Sequence, residues 1–112
     1  MSSSRYVPDS WVVIKASNSD GSRVDFRVIV GWEGNEFFKE SRKLSEKLYK
    51  MYDKGSHWRF LAIDNSEYIC KKDAEGFSKL SKRLFDELVE RNYKLTVEVS
   101  SAEECGQNVN TR

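Results

Sequence analysis

The sequence predicts an α+β domain: a mostly antiparallel sheet of about five strands with two helices packed on one of its faces. Two observations support this fold class. Runs of alternating apolar residues come in pairs joined by short turns, which is typical of β-hairpins. Two longer segments place their apolar residues at helical spacing instead. The predicted order is strand, strand, helix, strand, strand, helix, strand, or ββαββαβ.

The first predicted hairpin joins residues 11–17, WVVIKAS, to residues 24–32, VDFRVIVGW. Gly21 lies in the turn between them, where a glycine can adopt a positive φ. Ile29 points to the opposite face from its apolar neighbours, which predicts that this second face is also partly covered. The alternating residues that share the first face are Val24, Phe26, Val28, Val30 and Trp32.

A first helix is predicted from the N-cap Asn35 to about Asp53, with Gly55 at its C-terminal stop. Helical geometry would place four apolar residues on one side, namely Phe37, Leu44, Leu48 and Met51. Five lysines, spaced by three or four residues, would lie on the opposite side: Lys39, Lys43, Lys47, Lys50 and Lys54.

A second hairpin is predicted from residues 56–64, SHWRFLAID, and 67–72, EYICKK. Asp73 is expected to cap a second helix that runs to about Arg91. Residues 94–99, KLTVEV, alternate as a last strand. The apolar stripe of the second helix consists of Phe77, Leu80, Leu84 and Leu88.

The chain of 112 residues is expected to form one domain over residues 11–99. Residues 1–10 are predicted to be a flexible N-terminus, and residues 100–112 a disordered C-terminal tail, because both are polar. No apolar stretch has the length of a signal peptide core or a membrane span, which predicts a cytoplasmic protein without a membrane partner. Cys70 and Cys105 are accordingly expected to be reduced thiols.

The residues offer little for catalysis, and we predict a protein that is not an enzyme. His57 is the only histidine and belongs to no catalytic motif. Asp64 and Glu67 flank a hairpin turn, and turn chemistry accounts for Asp64. Two cysteines and one histidine cannot make a tetrahedral zinc site, and no phosphate-binding loop is present, so no metal and no cofactor are predicted.

The five lysines, with the neighbouring Tyr49, are the candidate binding site. A merely solvated helix face is the simpler interpretation of such a stripe, and the net charge of +1 argues against a strongly cationic nucleic-acid binder. Our first hypothesis is docking on a protein partner. The alternative is an RNA-binding or single-strand-binding module in which Trp32 or Trp58 stacks on bases, unless these rings complete the core.

Three segments resemble small accessory proteins of T-even-type tailed bacteriophages: WVVIK at 11–15, VIVGWEG at 28–34 and YICKK at 68–72. The resemblance covers about half of the chain, mainly its two hairpins. It implies an intracellular phage protein, without a known catalytic residue set, that binds a host protein and changes its activity. It assigns no functional residues.

Overall fold

The computed structural model describes residues 4–34, 39–91 and 94–111, and its fold class is α+β, as predicted. A single 3₁₀ turn, Lys72–Ala74, precedes the longer helix. Within the described residues the helices are α1 (Lys79–Arg91) and α2 (Ala102–Asn108). The strands are β1 (Arg5–Tyr6), β2 (Ser10–Asn18), β3 (Val24–Trp32), β4 (Ser41–Leu44), β5 (Leu48–Asp53), β6 (His57–Ala62), β7 (Glu67–Lys71), β8 (Leu95–Ser100) and β9 (Asn110–Thr111).

The described strands form two sheets rather than the single sheet that we expected. Sheet A has the order β1-β7-β6-β5-β9, and sheet B has the order β4-β3-β2-β8. Both predicted hairpins are present, β2–β3 in sheet B and β6–β7 in sheet A, and the predicted last strand is β8. Pairing is antiparallel apart from the two shortest strands, β1 and β9, which pair in parallel.

The core lies between the two sheets, where their inner faces meet. Alternation places Val13 and Val28 of sheet B opposite Met51 and Phe60 of sheet A, and all four side chains are fully buried. Helix α2 contributes to the same core. Among the described residues, the buried members of this core are Trp11, Val13, Phe26, Val28, Val30, Leu48, Met51, Phe60, Ala62, Tyr68, Cys70, Ala102 and Cys105.

The prediction of a first helix is wrong for the described residues of this segment, which form strands β4 and β5. Its N-cap Asn35 and its first apolar residue, Phe37, lie outside the described residues. Strand β4 pairs with β3 in sheet B, whereas β5 pairs with β6 in sheet A. Residues 45–47 therefore carry the chain from one sheet to the other.

Ser45 shows why tertiary pairing prevails over helix propensity in this segment. Its backbone N–H donates to the Val28 carbonyl at 2.9 Å, and its buried hydroxyl accepts from the Val28 N–H, also at 2.9 Å. The serine side chain thus continues the hydrogen bonding of β3 where β4 ends. Strand partners satisfy this backbone and bury Leu48 and Met51, and this gain exceeds the helical preference of a segment rich in Lys, Leu and Glu.

Helix α1 covers the outer face of sheet B and begins six residues later than the predicted cap, Asp73, which lies in the 3₁₀ turn. Ser78 caps it instead: its hydroxyl accepts from the Ser81 N–H at 3.2 Å, and the Ser81 hydroxyl accepts from the Ser78 N–H at 2.8 Å. Leu84 and Leu88 of the predicted stripe are half-buried, and Ile29 beneath the helix is fully buried, which is more than the partial cover that we predicted for this face.

The predicted disordered tail is wrong for α2, because this helix inserts Ala102 and Cys105 into the core. The Ser101 hydroxyl caps the helix by accepting from the Glu104 N–H at 3.0 Å. Helix α2 therefore does not share a sheet face with α1, which corrects the predicted arrangement. The predicted flexible N-terminus likewise contains a strand, β1. Cys70 and Cys105 are both free and buried.

Candidate functional site

The outer face of sheet A is a polar surface on which neither described helix packs. Both described helices lie elsewhere, α1 on sheet B and α2 in the core. The inner positions of β5, β6 and β7 are occupied by core residues, so their alternate residues point outward. Ten residues on this side make up what we call the cationic face: Arg5, Lys50, Tyr52, Lys54, His57, Arg59, Leu61, Glu67, Ile69 and Lys71.

Strand pairing arranges the cationic face in three rows. The first row aligns Lys50, Leu61, Glu67 and Arg5 across four strands. The middle row aligns Tyr52, Arg59 and Ile69. In the third row His57 pairs with Lys71, and its carbonyl accepts from the Lys54 N–H at 3.0 Å. Cations therefore occupy the ends of the first and third rows.

Three cationic side chains surround the ring of Tyr52. The Lys50 ammonium lies 5.5 Å from the centre of its ring, and the Lys54 ammonium lies 5.3 Å from it. The Arg59 guanidinium, which faces Tyr52 across the strand pair, lies at 5.1 Å. Each contact is a cation–π interaction, but the three cations also repel one another.

Glu67 is the only carboxylate of the cationic face, and it orders two of the cations. Its side chain, 13% exposed, accepts from Arg59 Nε at 2.6 Å and lies 3.5 Å from Arg5 Nη2. The hydrogen bond from Arg59 lowers the pKa of Glu67, and the same bond raises the pKa of Arg59. Arg59 is thereby held in place beside Tyr52.

The charge of this face is unbalanced. Arg5, Lys50, Lys54, Arg59 and Lys71 are cationic, against the single carboxylate of Glu67. The whole chain is nearly neutral, with a net charge of +1, so the rest of the chain carries a small excess of carboxylates. A surface of this composition attracts anionic groups and is unfavourable when left alone.

Strand geometry disperses the first three lysines of the predicted stripe. Lys39 is exposed in the segment before β4. Lys43, in β4, lies over the ring of Tyr6 at 5.2 Å. Lys47 forms an ion pair of 3.6 Å with Asp25. Only Lys50 and Lys54 of the predicted stripe belong to the cationic face.

The aromatic candidates have separate positions. Tyr49 is the extra residue where the β5–β6 register shifts, and it is exposed. Trp32 packs on the core edge, and its indole N–H donates to the Val7 carbonyl at 3.1 Å. Trp58 also packs against the core, with the Lys72 ammonium 4.4 Å from its ring. The tryptophans complete the core edge, which is the alternative that the sequence left open.

The sequence reasoning missed Tyr52, Arg59, Lys71 and Arg5. A signal for Tyr52 was available, because Lys50, Tyr52 and Lys54 alternate and would share one face of a strand. The helical interpretation of the segment hid this pattern. Arg59, Arg5 and Lys71 come from three other strands, and only the sheet order places them beside β5.

His57 Nδ1 lies 3.2 Å from the hydroxyl of the neighbouring Ser56. Within the described part of the chain, no group of three or more His, Cys, Asp or Glu residues is placed to hold a metal. No helix described by the structure is long and apolar enough to cross a membrane.

The chain was also compared with known proteins. Neither protein-family models, nor curated proteins, nor solved structures gave a match. The resemblance to phage accessory proteins stays a prediction.

Proposed function

We propose that this chain is a non-enzymatic binding protein that docks on an acidic surface of a partner protein through the cationic face. The observation that supports this proposal is the cluster of Lys50, Lys54 and Arg59 around Tyr52, with one carboxylate among five cations. A flat sheet face with such a cluster gains stability from an anionic partner.

The arrangement resembles a protein interface in its division into centre and rim. The middle row supplies Tyr52, Arg59 and Ile69, of which tyrosine and arginine are residue types that commonly dominate binding energy. The outer lysines accelerate the encounter with an acidic partner. Binding would act by occlusion or altered assembly, and a phage origin would make the partner a host protein.

The test compares three forms of the full chain as bait in extract from cells that express it. The wild type is set beside K50E/K54E and beside K79E/R83E, which has the same change of charge on the exposed side of α1. A protein captured by the wild type is then purified and titrated. We expect K50E/K54E to weaken its affinity at least about tenfold, mainly through slower association.

K79E/R83E should bind that partner as the wild type does, because α1 lies on the opposite sheet. A partner whose affinity is the same for wild type and K50E/K54E would refute docking through the cationic face. Tyr52→Ala provides an independent check, since it removes the ring and keeps the charges. It should accelerate dissociation.

A second candidate function is binding of single-stranded nucleic acid. The specific observation in its favour is that cations surround an aromatic ring on an open sheet face, the combination used by single-strand-binding surfaces. The three cations already cover Tyr52, however, which leaves its ring less accessible to a base. For this reason the candidate ranks second.

Anisotropy of a labelled, mixed-sequence single-stranded RNA separates the two functions. A nucleic-acid binder would show affinity that falls steeply with salt and is lost in K50E/K54E. The protein-docking function predicts no more than weak binding at low salt, equal for RNA and for an unrelated polyanion such as polyglutamate.

A further inference from the structure

Strand β8 forms one edge of sheet B, and its outer side is open. Among the residues that the structure describes, β8 pairs only with β2. That pairing is regular from Leu95 to Ser100, without a bulge. An edge of this kind presents unpaired backbone groups, and proteins usually protect such edges with bulges, prolines or charges.

The side of β8 that faces α1 is apolar and exposed. Leu95 is 42% exposed and Val99 is 53% exposed, with the half-buried Val97 between them. Next to them a groove of about 250 Å³ opens between α1 and sheet B; its lining includes Ile14, Ala16, Leu44, Leu88, Leu95 and Val97. One helix is too narrow to cover this face as far as its edge strand.

The other side of β8 carries opposite charges near its two ends. Lys94 is the turn residue that immediately precedes the strand, and Glu98 lies four residues later. Extending the alternation of β8 back by one residue puts Lys94 on the same side as Glu98. The Glu98 side chain is 56% exposed, at 3.8 Å from the Lys15 ammonium, which makes a shorter contact of 3.0 Å with Glu104. Lys15 therefore keeps a carboxylate partner if Glu98 turns to another cation.

We infer that β8 is a self-association edge on which a second copy of this chain pairs antiparallel about a two-fold axis at Thr96. This register sets Lys94 against Glu98 of the partner subunit, and the two-fold axis repeats the pair. On the apolar side it sets Leu95 against Val97 of the partner subunit. Sheet B then continues through both copies.

Charge selects this register over its neighbour. An axis at Val97 would set Glu98 against Thr96 of the partner subunit and Lys94 against Ser100 of the partner subunit, so that neither charge would meet its opposite. The inference does not depend on the proposed function, because the cationic face belongs to the other sheet and stays open in such a dimer.

Sedimentation equilibrium of the full chain over a wide range of concentration tests this inference. The wild type should show a monomer–dimer equilibrium. Lys94→Glu leaves acidic side chains at both positions 94 and 98, and Glu98→Lys leaves basic side chains at both. Each variant alone should raise the dimer dissociation constant about tenfold or more, because two attractive pairs become repulsive.

Mixing the two variants is the decisive measurement. In the mixture each Glu of one copy meets a Lys of the other, so a heterodimer should form with an affinity near that of the wild type. Thermal unfolding followed by circular dichroism verifies that both variants are folded. A wild type that stays monomeric at every concentration would overturn the inference, as would variants that dimerise normally alone or a mixture that does not recover.

Discussion

The outer faces of the two sheets differ in composition, and they differ in what they contribute to the protein. Sheet B presents apolar residues such as Val12, Ile14 and Ile29, all buried, under helix α1. The outer face of sheet A presents five cations and one carboxylate, and no described helix packs on that face. An apolar face must be covered for the fold to be stable, whereas a charged face stays in water and is free to bind.

The isoleucines of the two faces illustrate this difference. Ile29 of sheet B is 0% exposed, whereas Ile69 occupies an equivalent outward position in sheet A and is only half-buried. The first residue contributes to folding by leaving water entirely. The second remains partly hydrated next to Arg59, its cross-strand neighbour.

The largest effect on stability is therefore expected as a difference between alanine substitutions at these two residues. Ile29→Ala should lower the free energy of unfolding by about 2–5 kcal/mol, because it removes buried methyl groups and leaves a cavity under α1. Ile69→Ala should cost less than about 1 kcal/mol. Urea denaturation of both variants measures the difference, and equal losses would mean that the outer face of sheet A is as well covered as that of sheet B.

A smaller effect is expected at Gly31, where β3 approaches the cap of α1. A Cβ at this position would lie 2.6 Å from Ser78 Oγ and 3.0 Å from Ser10 Oγ. Gly31→Ala should therefore lower the free energy of unfolding by about 1–3 kcal/mol through overpacking. The cost should be smaller when Ser78 is already Ala, and a double-mutant cycle in urea measures this coupling. Equal costs in both backgrounds would contradict the close packing.

On sheet A the expected stability effect is a pH dependence. The pKa of Glu67 is lowered from 4.5 in the folded state, so its ion pair stabilises the fold above that pH and is lost as the pH falls further. The stability of the wild type should decline below about pH 4.5, with Glu67 responsible for about 1 kcal/mol. Glu67→Gln should flatten that part of the curve.

Glu87→Gln, at an exposed position of α1, is the control for this measurement. It should leave the acid limb of the stability curve as in the wild type. Urea denaturation at a series of pH values provides the comparison. An unchanged acid limb in the Glu67 variant would show that the contact with Arg59 does not contribute to stability.

The smallest effect is expected from the lysines of the cationic face. K50E/K54E should change the free energy of unfolding by no more than about 0.5 kcal/mol, because Lys54 is exposed, Lys50 is only half-buried, and surface charges contribute little to stability. Thermal and urea denaturation measure this directly. A large loss of stability would show that these lysines support the fold, and the loss of partner binding would then need another explanation.

The sequence by itself determined those elements whose pattern of apolar residues fits only one type of secondary structure. The two hairpins, β8 and α1 all follow from strict alternation or from a helical stripe, although Leu95 and Val99 of β8 stay exposed. Local periodicity is sufficient there because the same apolar residues specify both the type of element and the side that packs against the rest of the protein.

Tertiary structure decided the conformation of residues 39–54 and of the segment that forms α2. Leu44, Leu48 and Met51 fit one side of a helix, yet pairing with β3 and β6 makes strands of this run and divides it between two sheets. The cationic face depends on that outcome, since Tyr52 meets Arg59 only across paired strands. Two conformations of this segment are locally acceptable, and hydrogen bonds and burial supplied by residues distant in the chain decide between them. Those partners cannot be identified from the sequence of the segment alone.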